Sequence, residues 1–365
     1  MANTLKFGAG QWATKEGSTL AYNDENNNFK PLPFNFERGS SATVVNKDGL
    51  IETVGNGEPR IDYKDDSKGA LLLEPQRTNL ITYSEDFSNW SSGSTYTTQG
   101  YAISPDGTQN ASRLLFTGSG QNIYINTSAT GDVVGSIYVK GTLGETIQLF
   151  VGGGETQFTL SGDWQRIVVE KTSSTNGFIN VNTNGGSTAR DLLVWGAQLE
   201  QGSYATSYIP TQGSAVTRLA DSCSQTVPDG VIGQTEGVVF MDFIAQNATG
   251  QSQSHFWLGA SGNEIGLYGG GQFIFYSSGG VSINGGNIVT GQRYKVAFGY
   301  KANDYVAYVN GNQVGTDTSA TVPTMSGLAL NSYFNGTEVQ KKNITDFKLY
   351  NTRLSNTELQ ALTQV

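Results

Sequence analysis

Residues Tyr294–Gly315 read YKVAFGYKANDYVAYVNGNQVG. Tyr294, Val296, Phe298 and Tyr300 alternate with Lys295 and Lys301, the period of two that puts one side chain inward and the next outward along a strand. The second half carries Asn310-Gly311, and this pair is the strongest short hairpin signal, because a type I′ turn needs positive φ at both central residues. Around this stretch the pattern continues. GVVFMDFIA (237–245) is apolar on both faces, as a central strand is. IGLYGGGQFIFYS (265–277) reads as a hairpin with a glycine turn, and NITDFKLYNTRL (343–354) as a last strand. LSNTELQALT (354–363) predicts the one helix. Ser355 and Glu358 form a capping box, and Leu354 and Leu359 occupy the hydrophobic-staple positions.

Upstream, from about Leu80 to Ile209, strand follows strand: NIYINTSA, VGSIYVKG, TIQLFVGGG, TQFTLSG, WQRIVVEKT, GFINVNTNGG and RDLLVWGAQLE. Seven or more short strands with Gly, Asn, Asp or Ser between them predict a two-sheet sandwich or jelly roll. Trp164, Val168, Leu193 and Trp195 are its predicted core. Residues 1–75 differ. Pro31 and Pro33 favour extended chain, SATVVNKDGLIETV (41–54) reads as a hairpin turning at Asp48-Gly49, and apolar residues are too few for a separate core. The expected organisation is all-β: an extended N-terminal arm (1–75), two tandem β-sandwich or jelly-roll domains (76–212 and 236–365), a connection (213–235) and one short C-terminal helix.

Composition agrees and excludes much chemistry. Of 365 residues, 47 are Gly, 15% are charged and 11% aromatic, which suits short strands and tight turns and argues against disorder. Net charge is −9, with no Lys/Arg run of the kind that neutralises phosphates, so nucleic acid is not an expected partner. No apolar run is long enough to insert in a membrane. The start, MANTLKFGAG, lacks a charged and then apolar leader, so no secretory signal is expected. Cys223 stands alone, which rules out internal disulfides, and no metal ligand cluster or cofactor motif stands out. His255 is the single histidine and has no evident nucleophile to serve, so it reads as a packed residue. Six Asn-x-Ser/Thr sequons, at Asn89, Asn110, Asn126, Asn247, Asn335 and Asn343, are what an Asn-, Ser- and Thr-rich chain produces by chance. Glu85-Asp86 is a poor candidate for paired catalysis, because neighbours on one strand face opposite ways.

Three sets of residues carry resemblances. The order YKVAFGYK, YVAYVNGNQVG, ITDFKLYNTRLSNTELQAL resembles the laminin-G-like branch of the concanavalin A-like lectin/glucanase fold. The strand of alternate carboxylates found in that fold's glucanases is missing, which implies binding or scaffolding rather than hydrolysis. WQR (164–166) and LLVWGAQLEQG (192–202) are similar to carbohydrate-binding modules of the galactose-binding-like jelly-roll type. Finally NKDGLIETVGNGEPRIDY, LLLEPQRTNLITYSEDFSNW and GAQLEQGSYATSYIPTQGSAVTRLAD resemble a recurrent set of segments in head-fibre, head-spike and tail-fibre-like proteins of tailed bacteriophages. Arg60, Asp62, Glu74, Arg77, Asn79 and Arg218 carry that likeness. Their expected role is a framework of hydrogen-bonded pairs locking a backbone corner where domains meet.

These resemblances imply a virion fibre or spike protein, assembled in a host cytoplasm and exposed on the particle. The N-terminal arm would dock on a capsid or tail protein, and the sandwiches would bind host-surface or mucus glycans. A homotrimer is expected, because Phe7, Trp12, Leu20, Phe29, Leu32, Phe34 and Phe36 are apolar without a sustained period and phage fibres are commonly trimeric. Tyr268, Tyr333, Phe334 and Asn335 are candidate glycan contacts, since sugar sites pair aromatic faces with amides or carboxylates. No catalytic residue is expected. The competing readings are a polysaccharide depolymerase, whose long β-helix repeats are not visible here, and a decoration protein without a ligand.

Overall fold

The computed structural model describes residues 5–10, 12, 20–23, 29–32, 35–93, 95–174, 177–246, 253–333 and 341–365, with backbone alone at 20–23, 29–32, 35 and 177–178. The chain divides into two units. The first comprises Met1–Gly39, Val54–Pro75 and Ala220–Val365; the second comprises Ser40–Thr53 and Gln76–Leu219. Both are antiparallel β-sandwiches, and the α-helix of the described residues is Asn356–Thr363.

In the first unit a ten-stranded and a seven-stranded sheet face each other. Strand Glu236–Ala245 lies between Arg293–Lys301 and Lys342–Tyr350 and pairs with both, which explains its two apolar faces. Tyr305–Val309 returns to Asn312–Asp317 through Asn310 (φ 48°) and Gly311 (φ 78°), the two positive angles that the turn requires. Val239, Met241, Phe243, Val296 and Phe298 from the larger sheet meet Phe256, Leu258, Ile265, Leu267 and Phe275 from the smaller in one core. The helix begins as expected. Ser355 Oγ accepts from Glu358 N at 3.3 Å, and Glu358 Oε2 accepts from Ser355 N at 2.7 Å. Leu354 and Leu359 then cover Val238, Ala297, Val306 and Tyr308 on the outer face of the larger sheet.

The expected N-terminal arm is corrected. Leu5–Gly8 is a strand of the larger sheet, paired with Lys342–Tyr350, and Phe7 stacks on Phe347 with ring centroids 5.6 Å apart. Ala70–Leu73 pairs with the same C-terminal strand, and all four of its residues are buried. Asn35–Glu37 pairs with Ser222–Thr226, so the expected connection also contains a strand of the smaller sheet. Leu5, Phe7, Leu71 and Leu73 share the core of residues 220–365, whereas Ser40–Thr53 belongs to the second unit, where Ile51 packs with Ala111, Trp195 and Tyr208. Partners some 340 residues apart leave no local periodicity to read.

The second unit closes two five-stranded sheets over one core. Ile123, Ile147, Leu149 and Val181 come from one sheet; Leu114, Ile137, Val139, Ile167 and Val194 come from the other. The hairpin Ala42–Val45 and Ile51–Val54 forms a separate pair of strands, with Gly49 at φ 79° in its turn. Among the predicted core residues Trp195 is buried, but Val168 and Leu193 are not fully so. Their neighbours Ile167, Val169, Leu192 and Val194 point inward instead. These strands are apolar on consecutive residues, so the phase of the alternation could be taken one residue out. Trp164 is half-buried, and its indole N–H donates to Ile103 O at 3.1 Å.

Candidate functional site

The smaller sheet of the first unit has an outer face of aromatic character. Along Ser254–Ala260, Asn263–Tyr268 and Gln272–Ser277 the inward residues form the core already described, and period two turns Trp257, Gly266, Tyr268 and Tyr276 outward. Trp257 stands directly across from Gly266, and Gly266 across from Tyr276. A Cβ at residue 266 would lie 2.2 Å from the Trp257 ring, so the missing side chain is what lets the indole lie down on the sheet. Tyr268 then stacks on Trp257 (centroids 5.8 Å, 14°), while Tyr276 and Tyr333 meet it edge-on at 6.0 and 5.0 Å. Trp257 Nε1 donates to Ser254 Oγ at 2.9 Å, which fixes the ring. Trp257 is buried, whereas Tyr268, Tyr276 and Tyr333 keep part of their surface open.

One acid belongs to this shelf. Glu264 is 6% exposed. Its Oε1 lies 3.5 Å from the Tyr333 hydroxyl, and its Oε2 is buried with no hydrogen-bond partner. Burial, with Glu264 and the neighbouring tyrosines adding to it, raises the Tyr276 pKa above its usual value. Next to Tyr333 runs a trough of about 440 Å³ lined by hydroxyl groups, among them Ser222, Ser224, Thr226, Ser326 and Ser332.

Of the four candidate glycan contacts, Tyr268 and Tyr333 are brought to one shelf; Phe334 and Asn335 lie outside the described residues. Trp257, Tyr276 and Glu264 were missed. For Tyr276 a signal was present, because Phe273 and Phe275 alternate with Ile274 and Tyr276; Trp257 and Glu264 had none.

A second concavity, of about 620 Å³, belongs to the second unit. Tyr83, Glu85, Asp86, Gln99, Asn110 and Gln212 are among its lining. The sequence reading put Glu85 and Asp86 on opposite faces of a strand. That is corrected: the chain there runs through a bend into the 3₁₀ turn Phe87–Asn89, and both acids line one cleft. Both are already engaged. Glu85 accepts from Tyr208 Oη at 2.8 Å and Asn110 Nδ2 at 3.2 Å. Asp86 caps the turn, accepting from Ser88 N at 3.1 Å, Asn89 Nδ2 at 2.8 Å and the Gln99 amide. Burial raises the Glu85 pKa, Tyr208 opposes this and Asp106 adds to it.

The framework residues fall into two groups, each inside one unit. In the first unit Arg60 donates to Glu74 Oε2 at 2.8 Å and to Asp221 Oδ2 at 2.5 Å, with all three side chains fully buried. Arg38 joins from the other side, donating to Asp221 Oδ1 at 3.1 Å and to the carbonyls of Gly55 and Glu58. Arg38 and Asp221 were not singled out from sequence. Asp62 accepts from Asn343 Nδ2 at 3.4 Å. In the second unit Asn79 uses its whole amide: Nδ2 donates to Ala197 O and Ile209 O, and Oδ1 accepts from Ile81 N and Leu199 N. Arg218 is buried and donates to Thr206 Oγ1 and Ser207 Oγ, while Arg77 lies over the Tyr204 ring at 5.0 Å. His255 is 1% exposed, packed between Phe243 and Phe273, with burial and then the nearby Lys342 holding its pKa well below the usual range. Among the described residues no cluster of His, Cys, Asp or Glu could hold a metal ion, and no helix is long and apolar enough to cross a membrane.

No protein-family model and no curated protein sequence matches the chain. Solved structures are matched in part. The carbohydrate-binding module CBM40 of Ruminococcus gnavus IT-sialidase, bound to α2,3-sialyllactose, aligns at TM-score 0.30 and 18% identity over 36% of this chain and 84% of that one. The binding domain of botulinum neurotoxin DC in complex with rat synaptotagmin II aligns at TM-score 0.34 and 10% identity over 39% of each chain. The leech intramolecular trans-sialidase aligns at TM-score 0.32 and 18% identity, over 40% of this chain and 26% of that one. Likeness of this extent carries no argument about ligand, which must come from the site itself.

Proposed function

We propose that this chain is a glycan-binding fibre or spike protein of a tailed-phage virion, and that the Trp257 shelf is its sugar-binding face. The observation that carries the reading is the open tyrosine surface at Tyr268, Tyr276 and Tyr333, set beside a hydroxyl-lined trough. Aromatic faces stack on the C–H side of a pyranose while hydroxyls and carboxylates take its O–H groups. The virion role rests on the resemblance of the Arg60, Glu74, Arg77, Asn79 and Arg218 segments to phage head and tail fibres. It includes exposure on the particle and docking to a capsid or tail protein through the N-terminal region. The homotrimer now rests on that resemblance alone. Phe7 is buried within its own unit, and Trp12 and Phe36 pack against the same core. The side chains of Leu20, Phe29, Leu32 and Phe34 lie outside the described residues.

One observation favours a polysaccharide-cleaving reading: two acids share a cleft and one has a raised pKa, as an acid and base pair would. Their engagement with Tyr208, Asn110, Ser88 and Asn89 supports a structural use instead, and we propose a binding protein without turnover. The test is a glycan array probed with the full chain, with reducing ends assayed on the same panel. Saccharide capture without new reducing ends is expected, with Tyr268→Ala or Tyr333→Ala lowering affinity by about tenfold, the loss of roughly one stacking contact. Capture unchanged in both variants would remove the shelf from the reading, and sustained release of reducing ends would favour the depolymerase.

A further inference from the structure

Resting on the carbohydrate reading, we propose that the Trp257 shelf selects sugars that carry a positive charge, that is, hexosamines with a free amine, and disfavours sialic and uronic acids. Two independent features point the same way. The first is Glu264, on the same strand as Tyr268, with one carboxylate oxygen buried and unpartnered, while the hydroxyl of Tyr333 is 3.5 Å from the other. A buried carboxylate without a counter-charge is costly, and it projects a negative field that the low-dielectric surroundings screen weakly. A ligand cation placed above it recovers part of that cost. The second feature is the rings themselves. The open surfaces are faces and edges of three tyrosines around an indole, and aromatic faces attract ammonium groups through their quadrupole. Among the described residues no Lys or Arg lines the adjoining trough, so no cation there would pair with a carboxylate or sulfate.

The geometry separates this site from the cleft of the second unit. There Glu85 and Asp86 already accept donors from their own surroundings, so a ligand cation would have to displace bonds that exist. At Glu264 one acceptor is still open.

The test uses the full chain and three small probes at neutral pH and low salt: the dimer of glucosamine, its N-acetylated counterpart, and 3′-sialyllactose. The expected order of affinity is cationic, then neutral, then anionic, with the first step about tenfold. Glu264→Gln keeps the shape and removes the charge, so the cationic preference should shrink to about twofold or less. A neutral or anionic probe bound as tightly as the amine overturns the inference and leaves the carbohydrate reading standing. So does a preference that persists in Glu264→Gln, which would assign it to the net charge of −9 rather than to this site. Binding of none of the three sinks both. The wild-type order is a sufficient readout by itself should the variant not fold.

Discussion

In the cleft of the second unit, Glu85 accepts from Tyr208 and Asn110, and Asp86 from Ser88, Asn89 and Gln99. On the shelf of the first unit, Glu264 keeps one buried oxygen without a partner. Both places combine acids with tyrosines in a concave or open surface, and composition alone would rank the cleft, with two acids, above the shelf. What separates them is where the hydrogen bonds end. A carboxylate whose acceptors are filled by its own turn is holding that turn together. A buried one left unfilled costs stability, and such a cost is commonly retained where a ligand offsets it. The comparison extends to the Arg60 network, where two buried acids, Glu74 and Asp221, are paired with two buried bases, Arg38 and Arg60.

The largest effect should come from breaking that match. Arg60→Ala removes the cation that Glu74 and Asp221 share, leaving the buried Asp221 with Arg38 at 3.1 Å and the buried Glu74 with the more distant Lys341 at 3.8 Å. We expect a loss of roughly 3 kcal/mol in urea denaturation, because removing one member of a buried ion-pair network leaves part of the desolvation cost of the others unmet. A loss below about 1 kcal/mol would mean that the pairing contributes little net stability.

A smaller effect is expected at Gly266. Gly266→Ala places a methyl group 2.2 Å from the Trp257 ring and must lift the indole off the sheet. The expected cost is about 1–3 kcal/mol, typical of overpacking, together with loss of sugar capture by a chain that remains folded by circular dichroism. Full capture by the variant would show that the flat indole is not what orders the tyrosines.

The smallest effects concern pH, and they have opposite signs in the two units. His255 has a folded pKa well below 6.5, so the unfolded chain takes the proton first, and stability falls as pH drops below about 6.5. Glu85 has a folded pKa above 4.5, so its contribution is fully present below about 4.5 and is lost as pH rises through the folded value. Denaturation midpoints measured across this range should decline less steeply on acidification in His255→Gln than in the wild type. Glu85→Gln should lose the gain seen between neutral pH and about 4.5. Parallel profiles for wild type and both variants would show that neither group is linked to folding.

Much of the fold was legible because its signals are local. Positive φ at Asn310 and Gly311, the Ser355–Glu358 capping box and the two-sided apolar run of Glu236–Ala245 each depend on residues close in sequence. The Arg60–Glu74 pair spans 14 residues, and both members could be named. Their third and fourth partners, Asp221 and Arg38, lie 161 and 183 residues from the groups they bond, with no pattern to announce them. The candidate site was legible by half. Tyr268 and Tyr333 could be picked as aromatics in turn-like settings, but the residue that organises them, Trp257, reads locally like its buried neighbour Phe256.

The sequence by itself determined the class of this protein: short alternating strands, glycine turns, one capped helix, and a single histidine and cysteine without a Lys/Arg run. Tertiary structure alone decided that Leu5–Gly8, Asn35–Glu37 and Ala70–Leu73 are strands of the first unit's sheets. It also decided that Glu85 and Asp86 share a cleft already filled with bonds, and that the buried Glu264 lies against the Tyr333 hydroxyl. The physical reason is the same in each case. Propensity and periodicity are properties of neighbouring residues, whereas strand pairing, burial and the completion of a hydrogen bond depend on groups that folding brings together from distant parts of the chain.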